Sequence, residues 1–293
     1  MKNVCAIIVS YNPEDYLIAN VMALKPQVNQ VVIVDNGSSA RSQNTLDAAG
    51  KIEDVQVIYN NDNLGIAAAL NIGIKYAMDA GYTWVATFDQ DSRATSGFIG
   101  SMLAAYELCE YKDSVAVISP VYCNPVTGQH LSFGNCKTNP SKSFVEIEVT
   151  MTSGNLLPTR IFPKTGLFNE DFFIDFVDVE FCLRCLSRGF RIIEAQEAIL
   201  YHASGKPTQH RFLWENILIT HHSPLRKYYD VRNRIVLWKR YFLARPGWVK
   251  QDMANLAKQM LKIVLYEKDV IKKIFSVIKG AWHGITGKMG RYT

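Results

Sequence analysis

Five short apolar runs in the first 120 residues constrain this chain more than any other feature. They are Val4–Val9, Val31–Val34, Val55–Tyr59, Trp84–Phe88 and Val115–Ile118. Each is too short for an ordinary helix, is rich in β-branched or aromatic residues, and is bounded by polar or turn-forming residues. Runs without polar alternation suit strands buried on both faces, as in a parallel sheet. Helical spacings lie between them, at Asp15–Leu24, Arg41–Ala49, Ile66–Ala80 and Thr95–Tyr111. Alternating strand and helix predict an α/β fold with a mostly parallel central sheet flanked by helices. Ligands of such sheets bind beyond the carboxyl ends of the strands. The residues that follow the runs are therefore the first candidates for function.

The fourth run ends in Phe88-Asp89-Gln90-Asp91-Ser92. Aspartates two apart can present carboxylates to the same side of an extended or tightly turned backbone. They repel unless a cation lies between them, and a hard oxygen-seeking ion such as Mg²⁺ or Mn²⁺ is the usual answer. A solvated Asp-rich turn is the plainer alternative. Asp35 ends the second run, before Asn36-Gly37-Ser38. It is placed either to accept hydrogen bonds from a nucleoside or to cap its own turn. Asn63, before Leu64-Gly65, is expected to cap the helix that begins at Ile66.

Past residue 120 the alternation fails. Residues 120–143 read as loops and a hairpin, and Phe144–Val149 as a half-exposed strand of period two. Thr152-Ser153-Gly154-Asn155-Leu156-Leu157-Pro158 reads as a polar turn before a short helix. Phe172–Phe176 is an aromatic patch, and Asp178–Arg188 is a helix stopped by Gly189. Arg191–Glu194 and Ala198–Tyr201 read as two short strands ahead of His202. Ser223–Tyr241 is helical and gathers Arg226, Tyr228, Arg232 and Asn233.

The six cysteines, at 5, 109, 123, 136, 182 and 185, are scattered, which predicts reduced thiols in a cytosolic setting. Cys182-x-x-Cys185 lacks a second pair or nearby histidines, so it reads as part of a helix and not as a metal or redox site. The first residues run straight into a strand pattern, and no secretory leader is expected. No stretch approaches the ~18 uninterrupted apolar residues of a spanning helix.

Charge is uneven. From Lys239 onward twelve Lys/Arg face three acidic residues, Asp252, Glu267 and Asp269, in a chain whose net charge is only +5. Apolar residues from Met253 to Trp282 recur at helical spacing among these lysines. Such a tail can lie in a membrane interface. It can equally pack on the catalytic domain or form the interface of a homo-oligomer. No recognition motif accompanies the basic residues, so nucleic acid is not an expected partner. The expected domains are 1–240, catalytic, and 241–293, a basic amphipathic tail.

Six motifs stand in order: Val9-Ser10-Tyr11-Asn12, Val34-Asp35-Asn36-Gly37-Ser38, Asn63-Leu64-Gly65 through Asn71-Ile72-Gly73, Phe88-Asp89-Gln90-Asp91-Ser92, Thr152-Ser153-Gly154-Asn155, and Phe176-Val177-Asp178-Val179-Glu180-Phe181-Cys182-Leu183-Arg184. Over roughly residues 3–240 the chain resembles the family 2 inverting glycosyltransferases of GT-A fold, and most of all their bacterial rhamnosyltransferase branch. The resemblance implies a nucleotide-sugar donor, dTDP-L-rhamnose foremost and a UDP-hexose otherwise. It also implies a lipid-linked or oligosaccharide acceptor, and Mg²⁺ or Mn²⁺. It makes Asp178 the catalytic base, and Asp89, Asp91 and His202 the metal ligands. Ser10, Tyr11, Asn12, Asp35, Asn63 and Asp89 fall on the donor side, where Arg226 and Arg232 either add donors to the diphosphate or form a basic helix face near a membrane. Ser153, Gly154 and Asn155 fall on the acceptor side. The family's E-D-x-D-x-x-x-R motif is altered here: Val177 stands for its first acidic residue and Glu180 for the later one, leaving Asp178 at the base position and Arg184 to orient the helix. The place implied is the cytoplasmic face of a cell membrane, held peripherally. Two other classes compete. A sugar nucleotidyltransferase would need a Gly-rich basic loop after the first strand, which Ser10-Tyr11-Asn12-Pro13 is not. A non-catalytic sugar-nucleotide-binding or scaffold protein need not keep Asp89, Asp91 and Asp178 together.

Overall fold

The computed structural model describes residues 3–125, 128, 130–131, 142–202, 208–212, 215–219 and 221–292. The chain divides into two compact units, Met1–Glu170 with Val177–Ala203, and Asp171–Phe176 with Ser204–Thr293.

The first unit runs β1 (Val4–Ser10), α1 (Tyr16–Leu24), β2 (Gln30–Asp35), α2 (Gln43–Gly50), β3 (Val55–Tyr59), α3 (Ile66–Asp79), β4 (Trp84–Asp89), β5 (Ser92–Ala94), α4 (Phe98–Glu107), β6 (Val115–Cys123), β7 (His130–Leu131), β8 (Phe144–Ile147), β9 (Asn155–Pro158), α5 (Phe162–Thr165), α6 (Val177–Ser187) and β10 (Arg191–His202). One sheet takes the order β3-β2-β1-β4-β9-β6-β10-β5, with β7 on β6 and β8 on β10. β3, β2, β1 and β4 are mutually parallel, as are β6 and β10, while β9 lies antiparallel between β4 and β6. The apolar runs are buried as their composition demands: Ile7, Ile33, Val85 and Val117 expose essentially nothing. Helix α3 comes close to the sheet because it presents Ala67, Ala69 and Gly73. A Cβ at Gly73 would lie 2.5 Å from Ile7 Cγ2.

The sheet departs from the sequence reading in three places. Strand β6 does not stop at Ser119-Pro120 but runs on to Cys123. The missing N–H of Pro120 is tolerated because the β10 register slips there, from Ala195↔Pro120 to Ile199↔Val121. That slip also explains the second departure: the two short strands predicted before His202 are one bulged strand, β10. Third, Asn155–Pro158 is a strand. Leu156 and Leu157 are fully buried between β4 and β6, a burial too short to show in the sequence pattern. Smaller shifts occur at helix ends. Thr95 is bound by its hydroxyl to Ile199 O at 2.9 Å, so α4 starts only after Gly97. Asn63 does not cap α3: the N-cap is Gly65, and Asn63 Oδ1 accepts from Gly65 N in a local turn. Gly189, in the left-handed region, ends α6 as expected. Cys182 and Cys185 are buried, unbridged residues of α6, and every described cysteine is a free thiol.

In the second unit the hairpin β11 (Thr208–Phe212) and β12 (Glu215–Ile219) precedes α7 (Pro224–Tyr241), α8 (Pro246–Tyr266) and α9 (Val270–Thr286). Ser223 caps α7 by accepting from Arg226 N at 3.3 Å. The apolar series of the tail is thus two helices, parted at Glu267–Asp269, where Asp269 has φ 56°. Helix α9 lies on α7 through Gly280 and Gly284. A Cβ at Gly284 would stand 2.7 Å from Arg232 O, and one at Gly280 would collide with Tyr228 O. The sequence reading drew its boundary after residue 240; the contacts group α7 with the tail helices.

Candidate active site

Strand pairing gathers the first group of residues. Asp89 ends β4, Gln90 and Asp91 form the turn, and Ser92 opens β5. Strand β5 runs antiparallel to β10, which sets Ser92 opposite His202. One ligand atom each from Asp89, Asp91 and His202 falls within 4.8 Å of the others. His202 is buried, Asp89 half-buried and Asp91 exposed, so the cluster opens on one side. Two carboxylates and an imidazole form a donor set that fits a divalent cation.

Gln90, between the aspartates, holds the loop after β1. Its Oε1 accepts from Tyr11 N at 2.9 Å and from Ser10 Oγ at 3.2 Å, and its Nε2 donates to Tyr11 O and Tyr16 Oη. Asn20 Nδ2 donates to Gln90 O at 2.7 Å. Asn12 links the same loop to the one after β2: its N donates to Ser38 Oγ at 2.7 Å, and its Oδ1 accepts from Ser39 N and Oγ at 2.9 Å. Asp35 is buried and spends both carboxylate oxygens on the N and Oγ of Ser38. It therefore caps its own turn, the plainer of the two roles open to it. Asn63 Oδ1 accepts from Asn36 Nδ2 at 3.2 Å, which ties the α3 entry to the same loop.

The Thr152–Asn155 turn faces inward. Gly154 N donates to Thr87 O at 2.5 Å, and Thr87 Oγ1 donates to Thr152 O at 2.6 Å. Gly154 has φ +82°, and a Cβ there would lie 2.7 Å from Leu200 Cδ2 and 2.8 Å from Pro120 Cγ. Ser153 and Asn155 are buried with it. Asn155 Nδ2 donates to Met151 O at 2.6 Å, while its Oδ1 has no hydrogen-bond partner among the described residues. Insertion of β9 into the sheet thus sets Ser153, Gly154 and Asn155, the residues expected on the acceptor side, in a buried turn bonded to Asp89 through Ser153.

Asp178 sits half-buried in the first turn of α6, with Oδ1 accepting from Val179 N at 2.8 Å. Its charge reaches Tyr122, whose phenol is pushed up chiefly by burial and further by Asp178. Tyr122 Oη bonds to Thr150 Oγ1 at 3.0 Å and Ser153 O at 2.9 Å. Glu180 is fully buried and receives both Nε and Nη2 of Arg184, the closest contact being 2.8 Å. Arg184 also donates to Thr165 O and Leu167 O, anchoring α6 to that loop. A carboxylate locked in such a fork is a poor proton acceptor, so Asp178 is the better candidate base of the two.

The two arginines expected on the donor side lie in the second unit. Arg226 is partly exposed and pairs with Asp175, with Nε–Oδ1 and Nη2–Oδ1 both at 3.0 Å. Burial raises the Asp175 carboxyl, and Arg226 opposes that rise. Arg232 is wholly buried. It donates to Gly290 O at 2.6 Å, Asp171 O at 3.0 Å, Phe172 O at 3.1 Å and Asn233 Oδ1 at 2.9 Å. Arg232, expected on the donor side, thus directs its guanidinium to three backbone carbonyls and the Asn233 side chain. Sequence reasoning passed over Gln90, Ser92 and Tyr122. Only Ser92 carried a signal, its place directly after the aspartate pair.

A mostly parallel sheet with two aspartates and a histidine at its strand ends is the layout of a GT-A glycosyltransferase. The sequence profile described as Glycosyl transferase family 2 matches residues 5–159. The chain belongs to that family. It is 33% identical to the dTDP-rhamnosyl transferase RfbF of Shigella flexneri, over 99% of both chains. It is 24% identical to the low-salt glycan biosynthesis hexosyltransferase Agl10 of Haloferax volcanii, over 99% of this chain and 94% of that one. Among solved structures it resembles GalNAc-T7 with UDP, GalNAc and Mn²⁺, with a TM-score of 0.59 at 15% identity, across 83% of this chain and half of the other. That last likeness speaks for the fold alone.

Proposed function

We propose that this glycosyltransferase moves L-rhamnose from dTDP-L-rhamnose, with inversion, onto a lipid-linked or polysaccharide acceptor in cell-surface glycan assembly. The observation that carries the donor assignment is the end-to-end similarity to the Shigella rhamnosyl transferase. Asp89, Asp91 and His202 would hold Mg²⁺ or Mn²⁺, and their convergence supports that reading. Such an ion supplies positive charge to the diphosphate as it departs. Asp178 takes the proton of the acceptor hydroxyl as that oxygen bonds the anomeric carbon, and the bond from that carbon to the diphosphate oxygen breaks. The loops held by Gln90 and Asn12 give the nucleoside a fixed wall. Ser10, Tyr11, Asn12, Asp35 and Asn63 act there through backbone and turn geometry.

The second part of the reading is peripheral attachment to the cytoplasmic face of a membrane. No helix among the described residues is long and apolar enough to cross one. Helix α9 nonetheless exposes Ile271, Phe275, Ile278, Trp282 and Ile285, each between 57% and 72% accessible, with Lys272 and Lys279 beside them. Bulky apolar residues flanked by lysines suit an anionic interface.

The test is release of dTDP from dTDP-L-rhamnose by the purified chain with a lipid-linked acceptor, alongside UDP-glucose and UDP-GlcNAc. Turnover is expected with dTDP-L-rhamnose, and its loss in excess EDTA. Equal turnover with a UDP-sugar would move the donor assignment, and full activity in EDTA would remove the metal.

A further inference from the structure

Strand pairing brings His202 beside Asp89 and Asp91, but pairing does not fix the rotation of an imidazole. A buried run of hydrogen bonds does. Asp89 N donates to Ser153 Oγ at 3.0 Å, Ser153 Oγ donates to Ser92 Oγ at 2.7 Å, and Ser92 Oγ lies 2.8 Å from His202 Nδ1. Ser92 and Ser153 are each 1% exposed and His202 8%, so water cannot replace these partners freely.

A backbone amide can only donate, so Ser153 accepts from Asp89, and its own hydrogen is directed to Ser92. The Ser92–His202 bond runs either way, according to the imidazole tautomer. Ser92 has a second lone pair for an Nδ1–H. An imidazole protonated on Nδ1 carries its lone pair on Nε2, the form in which a neutral histidine ligates metal. Three sequence-distant segments meet in this run: the D-Q-D-S turn, the Thr152–Asn155 turn and the end of β10.

We propose that Ser92 and Ser153 are positioning residues of the metal centre, holding His202 by Nδ1 so that Nε2 serves as the ligand. This rests on the metal reading of the proposed function. It also gives Ser153 a task on the metal side of the reaction. Serines that only fill space here would leave metal affinity unchanged when their hydroxyls are removed.

The experiment is Mn²⁺ binding to the full chain with dTDP, followed by the electron paramagnetic resonance of the free ion, without turnover. Ser92→Ala is expected to weaken Mn²⁺ by about tenfold or more, the usual scale for a lost partner of a metal-bound histidine. Ser153→Ala should act in the same direction but less, being one bond further away. Ser92→Thr keeps the hydroxyl and should stay within about threefold of wild type, as a rescue control for that partner. In a His202→Ala background, Ser92→Ala should cost nothing further, because the two act as one unit. Equal affinity of wild type and Ser92→Ala, or a further loss in the His202→Ala background, overturns the inference while the metal reading stands. Absence of Mn²⁺ binding by the wild type overturns the metal reading, and the inference with it.

Discussion

The two compact units dispose of charge and grease in opposite ways. The first hides apolar strands and sets the half-buried Asp89 and the exposed Asp91 where β4 ends. The second buries cations and exposes oil. Lys227, Arg232, Arg234 and Lys273 are all nearly inaccessible. Their partners are equally deep: Glu267 takes Lys273 at 2.6 Å and Lys227 at 3.7 Å, and Asp252 takes Arg234 and Trp238 Nε1, each at 2.8 Å. Meanwhile Ile271, Phe275 and Trp282 stand exposed on α9. Buried pairs of this kind contribute little net stability but are costly to break singly. The contrast teaches that the first unit is built to present chemistry and the second to keep a defined internal scaffold beneath an apolar ridge.

The largest effect should come from breaking the scaffold. Arg232→Ala removes the buried guanidinium donors to the carbonyls of Asp171, Phe172 and Gly290 and should cost about 3 kcal/mol or more in chemical denaturation. Arg226→Ala removes a partly exposed pair with Asp175 and should cost about 1 kcal/mol or less. Equal costs would mean that Arg232 is not the strut its burial indicates. Next comes the presented chemistry. Asp178→Asn should lower kcat on the order of 10²-fold with the melting temperature little changed. Glu180→Gln should do the reverse, loosening the Arg184 fork and lowering the melting temperature first. If Glu180→Gln is inactive and Asp178→Asn is not, the base has been assigned to the wrong carboxylate. The smallest effect on folding is expected at the ridge. Phe275→Asp with Trp282→Asp should leave stability within about 0.5 kcal/mol per site, as for exposed positions. It should abolish sedimentation with anionic vesicles. Unchanged sedimentation, or a dimer that falls apart instead, would reassign the ridge to protein.

How far the sequence could be read follows the same division. The parallel strands were legible because residues such as those of Val4–Val9 are apolar on both faces, and one continuous run states that plainly. The aspartate pair was legible because its two carboxylates are neighbours in sequence. Strand β9 was hidden because two leucines between Asn155 and Pro158 give no period to recognise. The inward turn of Ser153 was hidden for the same reason, since its direction depends on which strands β9 joins. The burial of Arg232 was hidden because an arginine on a polar-looking helix carries no mark of which carbonyls lie across from it. The partner of His202 was invisible for a related cause: Ser92 and His202 are 110 residues apart and meet only through the β5–β10 register.

Gly280 and Gly284 carry a consequence for the direction in which the ridge points. Their bare backbone, pressed against the carbonyls of Tyr228 and Arg232, works as a key in a slot and sets the azimuth of α9. Each residue turns a helix by about 100°. Deleting one residue between Phe275 and Gly280 would therefore swing Ile271 and Phe275 roughly a quarter turn out of line with Trp282 and Ile285. The apolar residues would be the same in number and kind, yet no longer in phase along one edge. Two absent side chains thus decide which way the large ones face.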